Sequence, residues 1–165
     1  DSAFNDGDYT EPPVTGLKAF GRVYAGWAFS QAFYREHLYR ELGFETAEDL
    51  LADWERDHLN WDANDLLAKL WTWQHGDISA NDRYQGDFEN ALAAITARAI
   101  LIPCTTDLYF PPEDTELEVR HMRNAKLCAY ESPWGHCVAT PGRDTDFMAF
   151  LNECAVELLA DADRG

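Results

Sequence analysis

The chain has 165 residues, is 46% apolar, and carries a formal charge of -17 from 30 acidic and 13 basic side chains. That charge repels nucleic-acid backbones and anionic lipid surfaces, so neither is expected as a partner. The length and apolar content suffice for one buried core, and the absence of a run of about 18 apolar residues or a basic-then-apolar leader predicts a soluble protein, cytoplasmic by default.

Residues 1–15, with their Asp, Asn and Gly residues and the Pro12-Pro13 pair, read as an exposed loop. From Gly16 onward Leu17, Phe20, Tyr24, Trp27, Gln31, Tyr34 and Leu38 recur at spacings of three and four, predicting a helix with an aromatic face that Gly43 terminates. Thr46-Ala47-Glu48-Asp49 has the form of a capping box opening a second helix with Leu50, Leu51, Trp54 and His58 inward. Asp62-Ala63-Asn64-Asp65 repeats that form ahead of Leu66, Leu67, Leu70, Trp71 and Gln74. A polar turn from Gly76 to Gly86 leads to a short helix carrying Phe88, Leu92 and Ile95. Residues 16–96 therefore read as a helical lid.

Beyond residue 97 the pattern changes. Ala99 to Cys104 is a short apolar run bounded by Pro103 and Thr105, as expected of a buried strand. Pro111-Pro112-Glu113-Asp114 suits a helix start, because proline is tolerated in the first turn and acids favour the positive end of the dipole. Leu127 to Tyr130 reads as a second strand, and Phe147, Leu151, Cys154 and Leu158 mark a closing amphipathic helix. Strand, helix, strand, helix over residues 97–165 is the pattern of the last units of a doubly wound α/β sheet. Two strands make too small a sheet alone, so the expectation is a sheet completed by a separate N-terminal chain.

The chemistry concentrates at the ends of those strands. Asp107 follows the first, and His136 lies in the turn Pro133-Trp134-Gly135-His136 after the second. A histidine acting as general base needs a carboxylate that fixes its tautomer and stabilises the imidazolium. Alone, an Asp after a strand is commonly a turn former, and a lone turn histidine is commonly structural. Together, at consecutive strand ends in the order Asp then His, they match the rear of an α/β-hydrolase triad. The nucleophile is missing: Ser2, Ser30, Ser79 and Ser132 all lack the Gly-x-Ser-x-Gly setting, and the chain begins at Asp1. Trp134, Cys137 and Tyr109 flank the pair and are expected to line the substrate pocket.

The remaining groups point to no cofactor. Cys104, Cys128, Cys137 and Cys154 form no C-x-x-C pair and read as buried free thiols. His37, His58, His75 and His121 lack metal-ligand spacing, and no glycine-rich phosphate loop or dinucleotide fingerprint is present. Trp54, Trp61, Trp71 and Trp73 suit either an apolar acyl pocket or packing between lid helices.

Asp62-Ala63-Asn64-Asp65-Leu66-Leu67, the stretch Trp71 to Ser79, and the Thr106-Asp107 and Gly135-His136 sites together resemble homoserine O-acetyltransferase-like α/β-hydrolases over residues 16–160. The likeness is to the branch that includes carboxylic ester hydrolases. It implies a helical lid after an upstream serine elbow, with Asp107 as the acid and His136 as the base. The acetyltransferases of that family tend to carry Arg-Phe before Asp-Ala-Asn and an Asp after the catalytic His; here Asn60-Trp61 and Cys137 stand there. Loss of a cation and an anion suited to a zwitterionic amino acid favours ester hydrolysis. The expected enzyme is a serine acyl hydrolase acting on a small ester, active with an N-terminal chain that bears the serine. O-acetyl transfer from acetyl-CoA as cosubstrate is the enzymatic alternative, and a non-catalytic assembly module, associating through lid helices into a higher oligomer, is the other.

Overall fold

The computed structural model describes residues 1–140 and 144–160, so the last five positions of the predicted C-terminal segment lie outside the described residues. The chain forms two compact units. One comprises Asp1–Trp27 with Phe33–Gly76, and the other Ala28–Ala32 with the chain from Asp77 onward. Residues 77–96, grouped with the lid by their helical pattern, thus fall in the same unit as the strands.

In the first unit the N-terminal segment is tied down rather than loose. Ser2–Gly7 forms 3-10 turns capped by the Asp1 side chain, which also accepts the Gly16 N–H at 2.8 Å. Tyr9 donates its hydroxyl proton to Asp62, and Asn64 donates to the Gly7 carbonyl at 3.0 Å. The Tyr9 hydrogen bond is the main reason the Asp62 carboxyl is held below its usual range. A carboxylate so depressed stabilises the fold above its ordinary titration range and loses that contribution as pH falls through its folded value.

Helix α1 spans Val14–Ala28, α3 spans Ala47–His58 and α4 spans Ala63–His75, with α2, Gln31–Arg35, between the first two. Helix α3 packs on α1 at Gly21, where a Cβ would lie 2.7 Å from the Trp54 carbonyl oxygen, so only glycine permits that approach. Around it Tyr24 meets Trp54 edge-on at 5.6 Å, Trp54 stacks on His58, and Arg22 bridges Glu48 and Glu55. Thr46 caps α3 in a complete capping box with Asp49. Replacing Thr46 by Ala removes the oxygen that accepts the Asp49 N–H, and is expected to lower unfolding free energy by about 1 kcal/mol in a urea titration.

The long N-terminal helix is not continuous, contrary to the periodicity. α1 stops at Ala28, α2 ends at Arg35, and 3-10 turns cover Leu38–Arg40 after His37, which adopts left-handed backbone. The reason is tertiary: Ala28, Phe29 and Ser30 are buried in the second unit, where the Ser30 hydroxyl donates to the Pro133 carbonyl.

The second unit holds α5 (Phe88–Ala93), β1 (Ala99–Leu101), α6 (Pro112–Val119), β2 (Ala125–Leu127) and α7 (Thr145–Ala160). β1 and β2 pair in parallel, Ala99 opposite Ala125 and Leu101 opposite Leu127, and a bridge between Cys104 and Tyr130 extends the alignment toward the turns that follow. The second strand therefore starts two residues before the predicted one, and in its latter half Cys128 donates to the Leu101 carbonyl and Tyr130 to that of Pro103, both at 2.9 Å. Ala91, Leu92, Cys104, Trp134, Val138, Phe147 and Cys154 form the core. β1 is only half-buried along its length, although parallel strands are ordinarily covered on both faces. No helix among the described residues is long and apolar enough to cross a membrane.

Candidate active site

Parallel pairing brings the two turns after β1 and β2 to the same end of the sheet. In the first, the Asp107 N–H donates to the Cys104 carbonyl at 3.1 Å, and Asp107 Oδ1 accepts the N–H groups of Tyr109 and Phe110 at 2.8 and 3.2 Å. This is an Asx-type turn in which one carboxylate oxygen is spent on backbone. The other is aimed at the second turn: Asp107 Oδ2 lies 3.0 Å from His136 Nδ1.

His136 sits in the 3-10 turn Gly135–Ala139. Gly135 has φ +62°, and a Cβ there would lie 2.8 Å from the Ser30 nitrogen and 3.1 Å from the Ala28 oxygen. Close backbone packing therefore sets where the histidine emerges. The Asp107 side chain is 8% exposed and that of His136 35%, so the carboxylate is shielded while the imidazole reaches solvent. Tyr109 meets the imidazole edge-on with centroids 5.2 Å apart, and Phe110 lies 5.5 Å away.

Asp107 and His136 both line a cavity of about 410 Å³ whose other walls include Leu101, Pro103, Phe110 and Val138. Of the three residues expected to form a substrate pocket, Trp134 and Cys137 are buried in the core of this unit and neither lines this cavity. Tyr109 contacts the imidazole without being part of the cavity wall. Phe110, half exposed and on that wall, was not singled out by sequence, although its place beside Tyr109 in the Asp107 turn was the available signal. Trp71 and Trp73, 61% and 54% exposed, are not core residues of the first unit.

None of the serines of this unit serves the imidazole. Ser30, Ser79 and Ser132 are buried, with Ser30 donating to the Pro133 carbonyl, Ser79 to Asp77, and Ser132 Oγ accepting the Trp134 N–H. Cys104, Cys137 and Cys154 are buried and Cys128 is half-buried, none of them in a disulfide; burial pushes the Cys154 thiol up. Among the described residues no group of three or more His, Cys, Asp or Glu is arranged to hold a metal ion.

No family model matches the chain. Among curated proteins it is 33% identical over 139 residues to the one named Probable esterase Cgl0839 of Corynebacterium glutamicum, covering 82% of this chain and 39% of that protein. It is 28% identical over 142 residues to a homoserine O-acetyltransferase of Chloroherpeton thalassium, covering 82% and 37%. Among solved structures, an acetylester hydrolase from Corynebacterium glutamicum superposes with a TM-score of 0.88 at 29% identity, over 96% of this chain and 45% of that one. The chain thus spans less than half the length of the relatives it matches, and the match falls on their C-terminal portion.

Proposed function

We propose that this chain, which belongs to the ester-hydrolase branch of the homoserine O-acetyltransferase-like α/β-hydrolases, supplies the acid and base of a Ser-His-Asp triad whose serine lies outside its 165 residues. The observation that carries this reading is the 3.0 Å contact between Asp107 Oδ2 and His136 Nδ1 at the paired strand ends. The carboxylate holds the proton on Nδ1, which leaves Nε2 free of one and basic toward a hydroxyl. The serine oxygen attacks the ester carbonyl while Nε2 takes its proton. The imidazolium, stabilised by Asp107, returns that proton to the departing alcohol, leaving an acyl-enzyme. Water then attacks the acyl carbon with Nε2 again as base, and the serine is released with the acid.

The location of the serine outside these residues is supported by the commitments of Ser30, Ser79 and Ser132 to other hydrogen bonds. The half-burial of β1 further supports a sheet that continues on another segment, on the same or a separate polypeptide. Short acetyl esters are the proposed substrate class, in keeping with the similar structure named as an acetylester hydrolase. Cys137, directly after the base, offers no anion to an amino-acid acceptor, which favours water over homoserine; the scheme calls for no cofactor.

A fluorophosphonate probe tests the reading. With the enzyme assembled, it is expected to abolish hydrolysis of p-nitrophenyl acetate and to label a serine outside the 165 residues, as located by peptide mass mapping. Stoichiometric labelling of Ser2, Ser30, Ser79 or Ser132 would overturn it. So would saturable hydrolysis by the 165-residue chain alone.

A further inference from the structure

One side chain joins the two turns that carry the acid and the base. Thr106 Oγ1 donates its single proton to the Ser132 carbonyl at 2.6 Å and accepts the Gly135 N–H at 3.1 Å. Thr106 immediately precedes Asp107, and Gly135 immediately precedes His136. The hydroxyl therefore crosses from the residue before one site group to the residue before the other, with both its donor and an acceptor lone pair used. Beyond the bridge between Cys104 and Tyr130, strand pairing no longer sets the separation of these turns. Cys104 Sγ lies 3.4 Å from the same Ser132 oxygen that Thr106 holds.

We propose that Thr106 is a positioning residue that sets the distance and angle between Asp107 and His136 by clamping the histidine turn from both sides of Pro133-Trp134. This inference rests on the triad reading for its consequence in catalysis, but the clamp itself is a statement about geometry. Neighbouring hydroxyls cannot substitute for it. Ser132 Oγ is turned to the Trp134 N–H, and Ser30 holds the Pro133 carbonyl instead. Val has the shape of Thr without the hydroxyl, so Thr106→Val leaves the Gly135 N–H and the Ser132 carbonyl without this partner while keeping the volume. Thr106→Ser restores both bonds.

Two readouts test the proposal. In the 165-residue chain, the hydrogen-bonded Nδ1–H proton of His136 is followed by NMR, together with the ring ¹⁵N shifts that report the tautomer. Thr106→Val is expected to broaden or lose the downfield Nδ1–H signal and mix the tautomers, while Thr106→Ser retains the wild-type spectrum. In the assembled enzyme Thr106→Val is expected to lower kcat about 10- to 100-fold with KM within about twofold, the cost of small misplacement of a reacting group, and Thr106→Ser to recover most of it. Thr106→Ala provides the same comparison should the Val variant not fold. A wild-type Nδ1–H signal and tautomer in folded Thr106→Val or Thr106→Ala overturns the proposal, as does a Ser variant as impaired as Val. Should His136→Ala leave activity intact while Thr106→Val still alters the His136 spectrum, the triad reading fails and the clamp stands.

Discussion

Replacing His136 by alanine in the assembled enzyme is expected to lower kcat/KM for a short acetyl ester about 10⁴-fold, roughly 5 kcal/mol of transition-state stabilisation. The fold should survive, since the imidazole is partly exposed and its hydrogen bond is to Asp107 alone among the pairs described. Asp107→Asn is expected to be nearly as severe, for a reason specific to this turn. Oδ1 already accepts two backbone N–H groups, from Tyr109 and Phe110. An asparagine keeps its carbonyl oxygen there and turns its amide N–H toward His136 Nδ1. That nitrogen must then accept, the proton moves to Nε2, and the base is lost while the backbone turn is retained. Steady-state kinetics with circular dichroism as the control for folding decides the matter: activity within about tenfold of wild type for either variant removes Asp107 and His136 from the chemistry.

Gly135→Ala is expected to damage both stability and the site. The backbone there is left-handed at φ +62°, which costs a non-glycine residue roughly 1–2 kcal/mol. The new methyl would also fall 2.8 Å from Ser30 N, 3.1 Å from Ala28 O and 3.2 Å from Phe29 C, all backbone atoms that no rotamer change can move aside. Overpacking of this kind costs about 1–3 kcal/mol. The sum, about 2–5 kcal/mol, should appear in the denaturation midpoint at constant slope, and the His136 Nδ1–H signal should weaken in the folded fraction. A midpoint shift equivalent to less than about 0.5 kcal/mol would mean that the backbone of residues 28–30 does not approach the histidine turn.

The parts of this protein legible from its residues are those governed by neighbours within about four positions. Thr46 with Asp49, Asp62 with the N–H groups of Asn64 and Asp65, and Pro112 at the first turn of α6 all act locally, and α3, α4 and α6 start where these cap and proline signals place them. The closing helix followed from the spacing of Phe147, Leu151, Cys154 and Leu158, and its observed span contains all four. Asp107 and His136 were legible for a related reason: strand ends are marked by short apolar runs followed by polar turns, and parallel succession puts consecutive strand ends side by side.

What periodicity missed depends on partners far away in sequence. The stripe from Leu17 to Leu38 satisfies a helix at every step, yet the chain breaks after Ala28 because burial of Phe29 and a bond from Ser30 to Pro133, 103 residues distant, outweigh continued helical hydrogen bonding. Residues 1–15 carry no core pattern, but Tyr9 and Asn64 anchor them across more than fifty residues. Trp71 and Trp73 suit packing or a pocket from their chemistry; both are exposed, and Trp73 shares a cavity wall with Trp61, a distinction that depends on how α4 folds back beside Trp61. The Thr106 clamp is of the same kind: a threonine beside an aspartate has no signature until β1 and β2 align in register and bring Gly135 within 3.1 Å of its hydroxyl. Local caps and turns are encoded in short stretches because their hydrogen bonds close over a few residues. The placing of one turn against another is a property of packing, where many distant residues are satisfied at once.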